Sequence, residues 1–238
     1  LNTALIDPSS TTRQHYRWEP LLPALVTAVI PTLNEAATIG AAINSCLREG
    51  IREIIVADGG STDATTAIAQ AAGAIILKAQ PAHRARQMNA GARHATGDLY
   101  IFLHADSTLQ PGAMKALAAA TQNTPVVGGG FQRSYQTASR ILRITTAIGN
   151  ARARRLGWFY GDQAIWAQAH VFQQLGGFPT IPIFEDLDFT RRLSRVGPTC
   201  LISPGIETSA RRFQRGVLTR LTLDFLLTVR HVCVDPKP

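Results

Sequence analysis

The stretch Ile101-Phe102-Leu103-His104-Ala105-Asp106-Ser107 carries three large apolar residues and then stops abruptly at a His-Ala-Asp triplet. Consecutive large apolar residues predict a strand buried on both faces, as in a parallel sheet covered by helices. A carboxylate just past such a strand stands at the carboxyl end of the sheet, where open α/β folds bind ligands. On extended chain His104 and Asp106 are two apart and point the same way, and both can ligate a metal. Taken alone, the stretch fits a strand ending in a polar turn equally well.

The flanking sequence decides the fold class. Residues 25–30 form a first strand, which Pro31 is expected to stop. Asn34 is placed to cap a helix that carries Ile39, Ile43 and Leu47 on one face and closes at Gly50. Residues 51–57 make a second strand, ending in Asp58-Gly59-Gly60-Ser61-Thr62-Asp63, and an alanine-rich helix closed by Gly73 leads to a short strand at 74–77. Strands and helices alternating at this spacing predict an α/β fold built of βαβ units, with right-handed crossovers and a mostly parallel sheet. Residues 83–95 read as a basic helix, and Gly97-Asp98 turns into the strand quoted first.

Beyond it, Pro111 fits the first turn of a helix running to about residue 120. Residues 125–131 read as a strand in which Gly128-Gly129-Gly130 marks a bend or a close backbone approach. Residues 139–155 form a basic helical segment, and Trp158-Phe159-Tyr160-Gly161-Asp162-Gln163 an aromatic loop leading to a strand. Phe184-Glu185-Asp186-Leu187-Asp188 opens a helix that ends near Gly197. Residues 216–234 set leucines among arginines, including Arg220 and Arg230; such a helix packs in a core or a homodimer, or lies on an anionic membrane. Residues 1–24, with Pro8, Pro20 and Pro23, have no period and read as a tail, which leaves 25–238 as one domain in two halves dividing near residue 131.

Composition is that of a globular protein, 45% hydrophobic and 17% charged. The net charge of +8 points to an anionic partner, and the arginines that dominate the basic set suit bidentate phosphate contacts. No aromatic-basic face supports nucleic-acid binding. The 3 cysteines, Cys46, Cys200 and Cys233, have no C-x-x-C spacing, which argues against a disulfide framework or zinc site and for a reducing compartment. With no signal-peptide pattern at its start and no apolar run of transmembrane length, the chain is expected in the cytoplasm or peripheral on the cytoplasmic face of a membrane.

Several side chains suit chemistry. Asp58 directly before Gly59-Gly60 suits a ribose or base whose hydroxyls and N–H groups donate to a carboxylate, whereas Ser61-Thr62-Asp63 suits a helix start. Asn34 and Glu35 stand at the corresponding end of the first strand. Lys78, His83, Arg84 and Arg86 form a basic run beside Asn89 and Gly91, either a solvated face or a screen for a diphosphate. Glu185, Asp186 and Asp188 concentrate more negative charge at one helix start than the macrodipole requires, and one of them could act as a general base. Gly161-Asp162-Gln163 after three aromatics is either a packed turn or an acceptor platform.

Together these pieces resemble the inverting family 2 glycosyltransferases of GT-A fold, in a compact bacterial form. Pro31-Thr32-Leu33-Asn34-Glu35, Asp58-Gly59-Gly60-Ser61-Thr62-Asp63 and Arg86 through Gly91 look like that family's first three motifs. His104-Ala105-Asp106 sits where the family has its metal-binding Asp-x-Asp, and Glu185-Asp186 where it has the acidic pair with the base. The resemblance implies a Rossmann-like sheet with a donor-binding half at about 25–131 and an acceptor half at 132–238. It implies that Pro31, Thr32, Asn34, Glu35, Asp58, Gly59, Ser61, Arg84, Arg86, Asn89, Gly91, His104, Ala105 and Asp106 surround a nucleoside-diphosphate sugar, UDP being the commonest carrier. Asp106, with His104, would hold Mg²⁺ or Mn²⁺, and Asp186, beside Glu185, would deprotonate the acceptor. Trp158, Tyr160, Asp162, Gln163, Arg211 and Arg212 would form the acceptor platform and a lid over the diphosphate. His104 departs from the pattern by replacing the first carboxylate, which lowers the charge offered to a cation. The acceptor stays open, a lipid-linked one included. So do two other readings: a non-catalytic nucleotide- or membrane-binding module derived from a transferase, and a sugar nucleotidyltransferase.

Overall fold

The computed structural model describes residues 25–210 apart from 136 and 138, so the tail, Arg211, Arg212 and the leucine-rich stretch at 216–234 lie outside the described residues. The chain runs Val26–Thr32 (β1), Ile39–Arg48 (α1), Glu53–Asp58 (β2), Thr65–Ala71 (α2), Ile75–Lys78 (β3), Arg84–His94 (α3) and Leu99–Phe102 (β4), the alternation that the hydrophobic pattern predicts. It continues through Ser107–Leu109 (β5), Ala113–Asn123 (α4), Gly128–Tyr135 (β6), Arg140–Leu156 (α5), Ile165–Gln168 (β7), Ala169–Gln174 (α6), Glu185–Val196 (α7) and Thr199–Thr208 (β8). All eight strands share one sheet in the order β3-β2-β1-β4-β7-β6-β8-β5. The first four are parallel neighbours, whereas β7 runs antiparallel to both β4 and β6, and β5 antiparallel to β8.

Every residue of β4 is buried, and its side chains alternate between two cores. Leu99 and Ile101 join Ile30, Ile43, Ile54 and Val56 on one face. Tyr100 and Phe102 join Phe159, Phe172, Phe178 and Phe189 on the other. In that aromatic cluster the Phe102 and Phe178 rings stand 4.8 Å apart and Phe178 and Phe189 4.7 Å apart. Each fully buried ring contributes about 1.5–3 kcal/mol. Because Phe189 belongs to α7, the same burial fixes the acidic start of that helix relative to the end of β4.

Three local expectations are corrected. Pro31 does not stop β1, which continues through Thr32 in register with β2. Val29 O accepts from Leu103 on one side of the strand and Thr32 O from Gly59 on the other. Pro31, two residues from Val29, therefore turns its ring nitrogen toward the side that β4 has left, where no donor is needed. Asn34 caps no helix, because α1 starts only at Ile39. Pro111 precedes α4, which starts at Ala113 after Gly112. The strand β8 had no sequence signal because Pro204 and Gly205 interrupt it. The β6–β8 register shifts between Phe131 and Arg133, opposite this dipeptide, and Gly205 lies against the Gln132 backbone. Among the described residues, no helix is long and apolar enough to cross a membrane.

The Gly128-Gly129-Gly130 run does mark a close approach: a Cβ on Gly129 would overlap the Cys200 carbonyl of β8. Gly129→Ala is expected to destabilise the fold by about 3 kcal/mol, lowering the unfolding midpoint by roughly 6–12 °C in a chain of this size. An unchanged midpoint in a thermal melt would contradict the β6–β8 pairing.

Candidate active site

The carboxyl ends of β1 and β2 are tied together by short polar side chains. Asp58, 4% exposed, accepts through Oδ2 from the Gly60 and Ser61 N–H groups, each at 2.9 Å, and through Oδ1 from the Ser61 and Thr32 hydroxyls. Ser61 Oγ in turn accepts from Asn34 N at 2.9 Å, and Asn34 Oδ1 accepts from Thr62 N at 2.9 Å. Asn34 takes φ 55, a left-handed conformation that asparagine tolerates. Glu35 N donates to Thr65 Oγ1 at 2.8 Å, and Ala36 N to Asp63 Oδ2 at 3.2 Å. Ser61, Thr62 and Asp63 thus join the two loops, a role that helix-start chemistry did not suggest. Asp63 and Thr65 also bond to each other, which holds the Asp63 carboxyl below its ordinary pKa.

A cleft of about 500 Å³ opens at this edge of the sheet. Pro31, Thr32, Leu33 and Glu35 line it from the end of β1 and the loop after it, Ala82, His83, Arg84 and Gln87 from the approach to α3 and its first turn, and His104, Ala105 and Asp106 from the turn after β4. Asn34 and Ser61 stand in the adjoining loops and Asp58 at the end of β2, and Gly59 borders a neighbouring hollow with Gly60, Gln80 and Ala82. His83 Nδ1 is buried with no hydrogen-bond partner among the described residues. Gln87 was not singled out in the sequence: its Nε2 donates to Thr32 O and Ala57 O, both at 2.8 Å, and so clamps β1 to β2. A glutamine one turn into a basic helix was the available signal.

Other members of the third motif do not line the cleft. Arg86 is exposed on α3. Asn89 donates to Phe178 O at 2.8 Å and accepts from Phe178 N at 2.9 Å, pinning the loop ahead of α7. Gly91 lies against Val29, where a side chain would overlap it.

The acidic turn of α7 reaches the cleft by two contacts. Glu185, 5% exposed, pairs with Arg84 at 3.7 Å. Asp186 Oδ2 accepts from Gly161 N at 2.6 Å, and Oδ1 from Leu187 N at 2.7 Å. Burial, reinforced by the Glu185 charge, pushes the Asp186 carboxyl up to about 6. Gly161 is the meeting point: a Cβ there would lie 2.7 Å from His104 Nε2 and 3.3 Å from Asp186 Oδ2. Asp188 instead pairs with Arg192 at 2.8 Å, whose guanidinium also holds Leu175 O and Gly177 O.

Of the expected acceptor platform, Asp162 and Gln163 are turned into the protein. Asp162 pairs with Arg133 and accepts from Tyr135 OH at 3.2 Å. Gln163 Oε1 accepts from Tyr160 N and Arg152 Nη2, both at 3.2 Å. Trp158 and Tyr160 are only half-buried; the Arg191 guanidinium lies 5.3 Å from the Trp158 ring centre, and that of Arg152 lies 3.8 Å from the Tyr160 ring. Burial lowers the pKa of Arg152, opposed by Tyr160 and Asp162.

Among the described residues, no group of three or more His, Cys, Asp and Glu side chains could hold a metal by itself. One carboxylate, Asp106, with the His104 ring beside it in an open cleft, is a donor set for a hard cation that takes its other oxygens from phosphate and water. It would not make a closed zinc site.

Comparison with known proteins follows the same line. The model of the family described as Glycosyl transferase family 2 matches residues 27–174. The chain is 28% identical over 245 aligned positions to the uncharacterized protein MT1568 of Mycobacterium tuberculosis, covering 89% of this chain and 76% of that one. In structure it is similar to Staphylococcus aureus TarS 1-349 in complex with UDP, with TM-score 0.64 and 15% identity over 78% of this chain. It is also similar to the mannosyltransferase PcManGT from Pyrobaculum calidifontis in complex with GDP-Man and Mn²⁺, with TM-score 0.61 and 23% identity over 84% of this chain. The chain spans 60% of each of these two structures, and at such identities the likeness shows the fold, the GT-A arrangement.

Asp186 also makes a stability prediction. Its carboxyl is displaced upward from 3.8 to about 6, so the folded state holds this proton more tightly than the unfolded chain. Its contribution is therefore present at low pH and lost as pH rises from about 4 to about 6. Asp186→Asn is expected to raise the unfolding midpoint at pH 7.5, with a ceiling of about 3 kcal/mol, and to raise it far less at pH 4. Equal effects at both pH values in thermal melts would contradict the upward shift of the Asp186 carboxyl.

Proposed function

The chain belongs to glycosyl transferase family 2, and on that premise we propose that it moves a sugar from a nucleoside-diphosphate sugar, UDP being the favoured carrier, to an acceptor hydroxyl with inversion at the anomeric carbon. It is a glycosyltransferase by family. The observation that carries it is the convergence at Gly161, where the Asp186 carboxylate and the His104 ring come together beside a cleft at the carboxyl end of the sheet. His83 Nδ1, which lines that cleft and has no hydrogen-bond partner among the described residues, supports a ligand there. TarS binds UDP, and PcManGT binds GDP-Man with Mn²⁺, in likenesses that support a nucleotide sugar and a divalent cation.

In this reading the donor half, 25–131, holds the nucleotide and the acceptor half, 132–238, the second substrate. Pro31, Thr32 and Glu35 border the base and ribose, and Asp58, its oxygens already engaged, acts through the Gly59-Gly60 turn that it builds. Arg84 stands toward the diphosphate, with Arg211 and Arg212 as its lid. Asp106, seconded by His104, would hold Mg²⁺ or Mn²⁺, which would supply positive charge against the charge accumulating on the leaving diphosphate.

Asp186 takes the acceptor proton. A carboxyl near 6 is ionised at neutral pH yet far more basic than an ordinary aspartate, which suits a general base. The Gly161 N–H fixes the oxygen that it bonds, and Trp158 and Tyr160 offer aromatic faces to the acceptor sugar or ring. A single in-line displacement needs no covalent nucleophile. We place this work on the cytoplasmic side of a membrane, with a lipid-linked acceptor as one candidate substrate.

Nucleoside-diphosphate release from a panel of donor sugars, with a lipid extract as acceptor source, tests the assignment. The rate should rise with pH through about 6 and level off above it. Asp186→Asn should lose at least about 10²-fold in turnover, the lower range for general-base catalysis, while still binding nucleotide. A variant that turns over at the wild-type rate would remove Asp186 from the role.

A further inference from the structure

A second cavity, of about 520 Å³, opens between β6 and α5 and shares no lining residue with the cleft. Three arginines line it, Arg133, Arg143 and Arg154, and no carboxylate does. Arg133 is paired with Asp162, but among the described residues neither Arg143 nor Arg154 has a carboxylate partner. Thr146, 9% exposed, lines the same space, and its Oγ1 has no hydrogen-bond partner among the described residues. The Nε of Arg133 is likewise buried and without one. Buried donors are rarely left unmet, and a basic cavity lined by guanidinium and hydroxyl groups is matched by a phosphate.

The helix that walls this cavity has a second property. Arg140–Leu156 contains five arginines and no acidic residue. Ile141, Ile144 and Ile148 fall on one stripe of it, with Ile144 61% and Ile148 63% exposed. Ile144 follows Arg143, and Ile148 follows the cavity residue Ala147, each about 100° further round the helix. An exposed apolar row therefore borders the mouth of a cavity suited to phosphate. Arg133 of the cavity pairs with Asp162, which neighbours the Gly161 that bonds Asp186.

We propose that the β6–α5 cavity binds the phosphate of an amphiphilic acceptor, with the isoleucine row of α5 taking its hydrocarbon at an anionic membrane surface. The arginines take the head group and the apolar row the chain, an arrangement known for interfacial helices in general. This assignment rests on the transferase reading for the word acceptor; phosphate and lipid binding stand on the cavity and the helix alone.

The full chain is sedimented with phosphatidylcholine vesicles containing about 30% phosphatidylglycerol, and with pure phosphatidylcholine. Two double variants at exposed positions are compared, Arg143→Glu with Arg154→Glu, and Ile144→Ser with Ile148→Ser. The wild type should bind the anionic vesicles at least roughly tenfold better than the neutral ones, and each double variant should lose about tenfold, as expected when basic side chains near an anionic surface are removed. The midpoint shift given by UDP with Mn²⁺ should be the same in wild type and variants. Equal binding of wild type and variants, or equal binding to both vesicles, overturns the proposal. So does a wild type stabilised by inorganic phosphate that binds no vesicle, since the cavity would then serve a free anion. A wild type that binds vesicles as expected but gives no shift with any nucleoside diphosphate counts against the transferase reading alone.

Discussion

β4 sits in the middle of the sheet, between β1 and β7, and is buried on both faces. Neighbouring strands hold it from either side, and two cores hold it from above and below. Its exit from the sheet is therefore set from four directions. Leu103 N still donates to Val29 O, and only then does the chain turn polar, which leaves His104, Ala105 and Asp106 at the carboxyl edge. The aromatic cluster that buries Phe102 also buries Phe189 of α7. The same packing that ends β4 thus holds the acidic turn of α7 nearby, and the cleft is framed by elements that cannot shift independently.

Upon this frame the charges are arranged at some cost to stability. Asp186 stays in a place that disfavours its ionised form, beside Glu185, with the Gly161 and Leu187 N–H groups as compensation. Phe184, just ahead, takes φ 64, a strained backbone for an aromatic residue that costs about 1–3 kcal/mol. Opposing this, Arg84 meets Glu185, Arg192 clamps the preceding loop, and Asn89 pins Phe178. Elsewhere buried charge is balanced, as in the Arg133–Asp162 pair. A carboxylate kept basic by burial is useful to a group that must take a proton, and a loosely held one would not stay so.

Much of this was legible in the chain because burial leaves a periodic trace. The alternation of apolar runs with amphipathic helices gave β1 through β4 and the helices between them, and the basic run at 139–155 marked α5. The antiparallel half was less so. β7 was expected after the aromatic loop, but β5 is only three residues long and β8 carries Pro204 and Gly205 within it, so pairing with neighbours makes these two strands where propensity does not. In the site, residue types marked the place but not the partner. Asp58 and Ser61 were visible as a polar turn, yet their bonds to Asn34 and Thr32 span loops distant in sequence. Asn89 and Gly91 looked like cleft residues and instead serve packing, because a spacing cannot say which side of a helix meets the sheet. Gly161 had no chemistry of its own to mark it, only the space that it leaves for His104.

The central claim is that the cleft between Pro31, Arg84 and Asp106 is a nucleotide-sugar site in which Asp106 holds the metal. Differential scanning fluorimetry with UDP, GDP, CDP and dTDP, each with and without Mn²⁺, addresses it most directly. A diphosphate at a hundred times its dissociation constant stabilises by about 2.7 kcal/mol. The account predicts a shift with one base, dependent on Mn²⁺ and abolished by Asp106→Ala. No shift with any of the four, or a shift that Asp106→Ala leaves metal-dependent and undiminished, would contradict it.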